Sequence, residues 1–261
     1  LTLTLGVTLF LAAALGGALN AVVGGATFVI FPALVFAGVP AVQANATSSV
    51  VVWPAALAGV YAYREDINLG RSLLLALGVA SFAGGAVGAW LLVHTPGDAF
   101  VRLVPWLLLF ATLLFTFGGT IGGWLRGGAA GGADVGSAGK ALFGVAFAQF
   151  AISIYGGYFG AGMGILMLAA YAVVSLGNIH TMNGVRSALG VLINGVAIGL
   201  FIYNRAIVWK PALVMMVGST LAGYFGAVIA RRVDPAKVKR LVMAVAWAMT
   251  AYFFFKSYRG T

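Results

Sequence analysis

A chain of 261 residues that is 62% hydrophobic and 8% charged is far more apolar than a soluble domain, in which roughly a quarter of residues are charged. With a mean hydropathy of +1.06, lipid has to solvate most of it, so an all-α polytopic membrane protein is expected. The net charge of +10 comes from fifteen Lys and Arg against five Asp and Glu. No basic run with interleaved aromatics exists to follow a nucleic acid, so these charges are read as topology signals that meet anionic headgroups. Cysteine is absent, which excludes disulfides and thiolate metal sites.

Predominantly apolar runs fall at 3–38, 42–63, 72–93, 99–125, 141–177, 182–203, 208–230 and 238–255. The first has no basic segment before it and no clear cleavage site, so a retained span is expected, not a signal peptide. Two runs, 3–38 and 141–177, exceed the ~20 residues that one crossing needs. Each carries a polar, Gly-rich centre: NAVVGGAT from Asn20 to Thr27, and SIYGGYFGAGMG from Ser153 to Gly164. Glycine weakens a helix by roughly 1 kcal/mol relative to alanine, so these clusters predict interruptions. The scattered Gly84, Gly85 and Gly88 predict close helix packing instead. Pro54 predicts a kink in its span. The six tryptophans are expected mostly as interfacial anchors or packing groups.

The two long runs point to a repeat. Asn45 and Asn183 are 138 residues apart, and Gly25 and Gly164 are 139 apart. Halves of 1–126 and 141–261 are expected, joined by a linker at 127–140 whose Gly-rich composition predicts flexibility. If each long run counts as one crossing, the halves are parallel and the basic residues divide evenly enough to break the positive-inside rule. If each is a double pass or re-entrant hairpin, the halves are inverted. Arg64, Arg71, Arg126, Lys140, Arg231, Arg232, Lys237, Lys239 and Arg240 then share the cytoplasmic side, against Arg102, Arg205, Lys210, Lys256 and Arg259. The inverted arrangement is preferred. Broken helices in matching positions of inverted halves are the sequence mark of a transporter site.

All five acids fall in expected loops, and His94 and His180 sit at span ends. A metal site, a carboxylate proton relay and an intramembrane protease are therefore disfavoured. Arg186 is the exception: it lies about two turns, roughly 9 Å, into its helix. A central arginine costs on the order of 2.5–3.5 kcal/mol to insert, so it either snorkels to the surface or serves a site. Asn183 and Ser187 beside it favour a wet cavity, in which the guanidinium could hold an oxyanion through two parallel bonds. The first half has a counterpart at 42–54, VQANATSSVVVWP, where Asn45, Thr47, Ser48 and Ser49 exceed the needs of one helix cap.

These segments carry a resemblance. VVGGATFVIFPALVFAGVPAVQANATSSVVV in the first half and YFGAGMGILMLAAYAVVSLGNIHTMNGVRSALGVLINGV in the second resemble the sulfite exporter TauE/SafE family of permeases over nearly the whole chain. The first-half glycine run is poorer than the family's usual pattern, since Ala26 and Thr27 follow Gly25. The resemblance implies transport of sulfite, sulfonates or related small anions across the cytoplasmic membrane. The expected substrate site combines Asn45, Thr47, Ser48, Ser49, Asn183, Arg186 and Ser187, with Gly24, Gly25, Gly160, Gly162 and Gly164 admitting close backbone approach. No cofactor is expected. Proton coupling stays open: arginine is always charged, so a proton would travel on the substrate, or the carrier would be uncoupled. An anion channel is the alternative, since the same basic site would suit a pore.

Overall fold

A computed structural model describes residues 2–22, 25–67, 69–128, 138–174, 176–230 and 235–259. The described residues form ten helices and no strand: α1 (Leu3–Val22), α2 (Thr27–Phe36), α3 (Ala41–Tyr63), α4 (Arg71–His94), α5 (Gly97–Gly128), α6 (Ala138–Tyr158), α7 (Met163–Val173), α8 (Ile179–Tyr203), α9 (Trp209–Ala230) and α10 (Pro235–Arg259). Among them, five helices are long and apolar enough to cross a membrane. Their outward faces are apolar, as Leu75, Val79 and Phe82 on α4 illustrate, and only lipid solvates such a surface. The chain is an all-α, multi-pass membrane protein.

Both long apolar runs are broken. The first stops at Val22 and restarts at Thr27; the second stops at Tyr158 and restarts at Met163. Gly24 lies outside the described residues. Gly25, with φ of 95°, and Gly162, with φ of 77° at the N-cap of α7, take the left-handed conformation that a side chain resists. These turns fold each run into a helical hairpin. In the first, Gly16 of α1 faces Ile30 of α2 so closely that a Cβ on the glycine would lie 2.9 Å from Ile30 Cγ1. In the second, Tyr171 Oη of α7 donates to Gln149 Oε1 of α6 at 3.0 Å.

Glycine seats these hairpins on their neighbours. A Cβ on Gly88 of α4 would collide with the carbonyl oxygen of Ile154 on α6, and one on Gly17 of α1 with that of Ser219 on α9. Two backbones approach this closely only where side chains are missing. A buried polar cluster adds to the α4–α6 contact: Gln149 Nε2 donates to Ser81 Oγ of α4 at 2.8 Å and to Ser153 Oγ at 3.2 Å. Ser219 Oγ, on the α9 side, is buried with no hydrogen-bond partner.

The centre is the pair α3 and α8, which run antiparallel. Thr47 meets Val208, Trp53 Nε1 donates to Val191 O at 3.1 Å, and Gly59 faces Ser187. Trp53 is thus a bridge between central helices. Trp90, Trp106, Trp209 and Trp247 are exposed on the outer surface. α5 packs on α10, where Thr112 Oγ1 and Thr250 Oγ1 are 3.0 Å apart and buried. α3 stays helical through Pro54, although that residue cannot donate to the Val50 carbonyl. Most of the 127–140 linker, residues 129–137, lies outside the described residues; α5 and α6 extend into its two ends.

Substitution at the glycine contacts tests this packing. Gly88→Val is expected to lower the melting temperature in detergent, since overpacking a close contact costs about 1–3 kcal/mol. Gly78→Ala lies on the same helix with nothing within 4 Å of the added Cβ. It is expected to leave the melting temperature unchanged or higher.

Candidate functional site

The two hairpin tips and the middles of α3 and α8 enclose one cavity of about 200 Å³. The first tip contributes Asn20, Gly25, Ala26 and Thr27; the second contributes Phe159, Gly160, Gly162, Met163 and Gly164. From α3 come Ser48, Ser49, Val52 and Ala56, and from α8 come Arg186, Ser187, Gly190 and Asn194. Phe115, Ile165 and Met167 close the apolar side. A volume of only ~10–15 Å³ holds one water, so this cavity admits a small ligand together with water.

The helical periodicity explains who faces in. Positions 48, 52 and 56 recur every four residues on α3, as do 186, 190 and 194 on α8, so each helix presents one stripe to the cavity. Thr27 opens α2, and Met163 and Gly164 open α7. Several first N–H groups here are already engaged: Phe28 N and Val29 N donate to Gly25 O and Ala26 O, and Met163 N and Ile165 N to Gly160 O and Gly162 O. The dipole at a helix N-terminus is nonetheless positive. Two short helices therefore direct anion-attracting ends at one space.

Arg186 is the only cation among the lining residues. Its Nε is buried with no hydrogen-bond partner, and it takes part in no ion pair among the described residues. The described acids stand outside the lining: Glu65 and Asp66 follow α3, and Asp98 lies in the first turn of α5. Gly164 makes room for the charge. A Cβ there would lie 2.9 Å from Arg186 Nη1 and 3.3 Å from its Cδ. The guanidinium thus rests against the bare backbone of the first turn of α7. Ser48 and Ser49 donate to the Asn45 carbonyl at 2.8 and 3.3 Å, and rotation of either hydroxyl redirects its proton toward a ligand.

The residues expected from sequence divide into two sets. Ser48, Ser49, Arg186 and Ser187 line the cavity together with Gly25, Gly160, Gly162 and Gly164. Asn45, Thr47 and Asn183 stand outside the lining. Asn45 Nδ2 donates to the Tyr158 carbonyl at 2.8 Å and so caps the broken end of α6, while its Oδ1 is buried without a hydrogen-bond partner. Thr47 Oγ1 accepts from Val208 N at 3.1 Å, which ties α3 to the entry of α9. Asn183 is half-buried and engaged in an interaction of its own. Sequence reasoning missed Asn194 as a site residue. Its amide nitrogen bonds Gly190 O at 2.9 Å, which leaves the Oδ1 end free to face the cavity. Eight residues beyond Arg186, it shares that residue's helical stripe, and this spacing was the available signal.

Gly164→Ala tests the seat of the guanidinium. It is expected to weaken anion binding about tenfold, a change of about 1.4 kcal/mol, when affinity is measured by calorimetry. Gly199→Ala on α8, with nothing within 4 Å of its added Cβ, is expected to leave affinity unchanged.

Comparison with known proteins agrees with a transport site. The sulfite exporter TauE/SafE family matches residues 9–253. A probable membrane transporter protein, ORF9, of Sinorhizobium sp is 26% identical over 246 residues, 92% of this chain and 89% of that protein. A probable membrane transporter protein of Haemophilus influenzae is 26% identical over 235 residues, 89% of this chain and 88% of the relative. The probable membrane transporter protein YfcA of Escherichia coli K12 is 24% identical over 262 residues, 98% of this chain and 91% of that protein. No solved structure matches. With a match spanning almost its whole length, the chain belongs to the sulfite exporter TauE/SafE family of membrane transporters.

Proposed function

We propose that this permease carries a small sulfur oxyanion or organic anion, such as sulfite or a sulfonate, by alternating access, with Arg186 as the charged ligand. The observation that carries this reading is an arginine whose Nε lacks a partner in a cavity without a lining carboxylate. Ser48, Ser49 and Ser187 supply neutral donors around it, and the positive dipole ends of α2 and α7 face the same space. Asn45 acts one layer behind by capping the broken end of α6, and Thr47 by tying α3 to the entry of α9. Gly25, Gly160, Gly162 and Gly164 keep the tips thin enough for an anion to touch backbone.

The moving parts are two inverted halves, 1–126 and 141–261, joined by the 127–140 linker. Three features support this. The bond between Thr112 and Thr250, and that between Trp53 and Val191, each join residues 138 apart, as expected of equivalent positions beside a two-fold axis. The antiparallel course of α3 and α8 suits an axis in the membrane plane. The hairpin α1–α2 rests on α9, and the hairpin α6–α7 rests on α4, an exchange of partners between the halves. Inverted halves place the nine-charge side in the cytoplasm of a cell whose cytoplasmic membrane holds the protein. Rocking of one half against the other would open the cavity to each side in turn.

Thermal unfolding of the purified protein in detergent tests the site. Sulfite, isethionate, sulfoacetate, taurine, sulfate and matched carboxylates are each compared on the parent and on Arg186→Ala. A ligand that binds only the folded state at 100 times its Kd stabilises by about 2.7 kcal/mol. At least one sulfur anion is expected to raise the parent's melting temperature and to leave the variant's unchanged. Equal stabilisation of both would remove Arg186 from the site.

A further inference from the structure

We infer that the Arg186 cavity changes sides only with an anion in it, so that the protein exchanges one small monoanion for another and does not return with an unpaired arginine. The inference rests on the proposed anion site and adds a rule about its cycle.

Arginine keeps its charge at any physiological pH, so Arg186 cannot be neutralised by losing a proton as a lysine or histidine could. The position 138 residues earlier in the chain, on the α3 stripe, is Ser48, so the cavity holds one lining cation and not two. No lining residue is acidic, and the described acids lie at helix ends. The remaining polar groups at the cavity, Ser48, Ser49, Ser187 and Asn194, are neutral. The serine hydroxyls can donate to a bound anion, but none of these groups can replace its charge.

A closing cavity has Val52, Phe115, Ile165 and Met167 for walls. Enclosing a lone guanidinium among such groups is strongly unfavourable, whereas a paired and hydrogen-bonded charge is tolerated. Carriers often solve this problem with an internal carboxylate that takes the cation on the return leg. Here the partner has to come from solution. One negative charge balances Arg186, so each leg of the cycle moves a neutral site and the exchange is one for one. Chloride is small enough for the cavity and serves as the probe for the return anion.

The test uses the full chain reconstituted in liposomes loaded with radiolabelled chloride, with potassium and valinomycin clamping the membrane potential. External medium contains either chloride or the impermeant anion gluconate. Efflux is expected to be roughly tenfold or more faster into chloride, which corresponds to about 1.4 kcal/mol or more between the paired and unpaired returns. It should not change when the clamped potential is varied, because a neutral loaded site feels no field. Arg186→Lys should keep the dependence on external anion at acidic pH, where the ammonium stays charged, and lose it as rising pH lets the lysine return neutral. Arg186→Gln, checked for folding by its melting temperature, should lose that dependence.

Equal efflux into chloride and gluconate would overturn the inference and indicate net movement. Labelled chloride that stays inside while a sulfonate stabilises the protein would overturn chloride as the return anion and leave the site reading intact. If neither chloride nor any sulfur anion moves or stabilises the protein, the site reading itself fails.

Discussion

A helix cannot be interrupted inside a bilayer unless something other than lipid receives the backbone groups that the break sets free. That constraint governs this molecule. Each hairpin tip exposes amide and carbonyl groups, and each tip is turned toward the same central cavity. At the second break the Tyr158 carbonyl is received by the Asn45 amide, a side chain from α3. Water or a ligand in the cavity can receive what side chains do not. The breaks, the cavity and the polar starts of α3 and α8 are therefore one solution to one problem.

Holding two broken hairpins in place requires contacts strong enough to replace a continuous helix. Lipid tails are as apolar as leucine, so burying apolar area gives little advantage there; close packing has to supply it. The glycines of α1, α4 and α6 allow this by bringing backbones together at Gly17, Gly88 and Gly157. The two hairpins are secured differently. The second adds the Ser81, Gln149, Ser153 and Tyr171 cluster, whereas at the first Ser219 Oγ is buried without a partner.

Much of this was legible in the sequence because membrane solvation leaves coarse marks. Excess length with a Gly-rich middle marked both breaks, and Arg186 stood out because it lies about two turns into its span beside Asn183 and Ser187. The roles of Asn45 and Thr47 were not legible. A polar residue at a helix start looks the same whether it faces a ligand or caps a neighbouring helix, and only the third dimension brought Asn45 to Tyr158. The pairing of glycines was also offset. Spacing matched Gly25 with Gly164, but Gly25 adopts positive φ just ahead of α2, a condition met in the second half by Gly160 and Gly162, while Gly164 sits inside α7 against the guanidinium. Asn194 escaped notice because a single amide in an apolar helix has no local pattern, only a phase relative to Arg186.

The pair Ser48 and Arg186 has an evolutionary consequence. Two identical chains meeting across a two-fold axis can offer their shared cavity no arginine or two, never one. Two would face each other at short range, and a monovalent guest could satisfy only half of them. A fused chain escapes that parity, because its halves can drift apart at a single codon. On the proposed two-half reading, joining the halves would do more than fix their stoichiometry: it would make an odd charge available at the centre, and with it a vestibule suited to guests of a single valence.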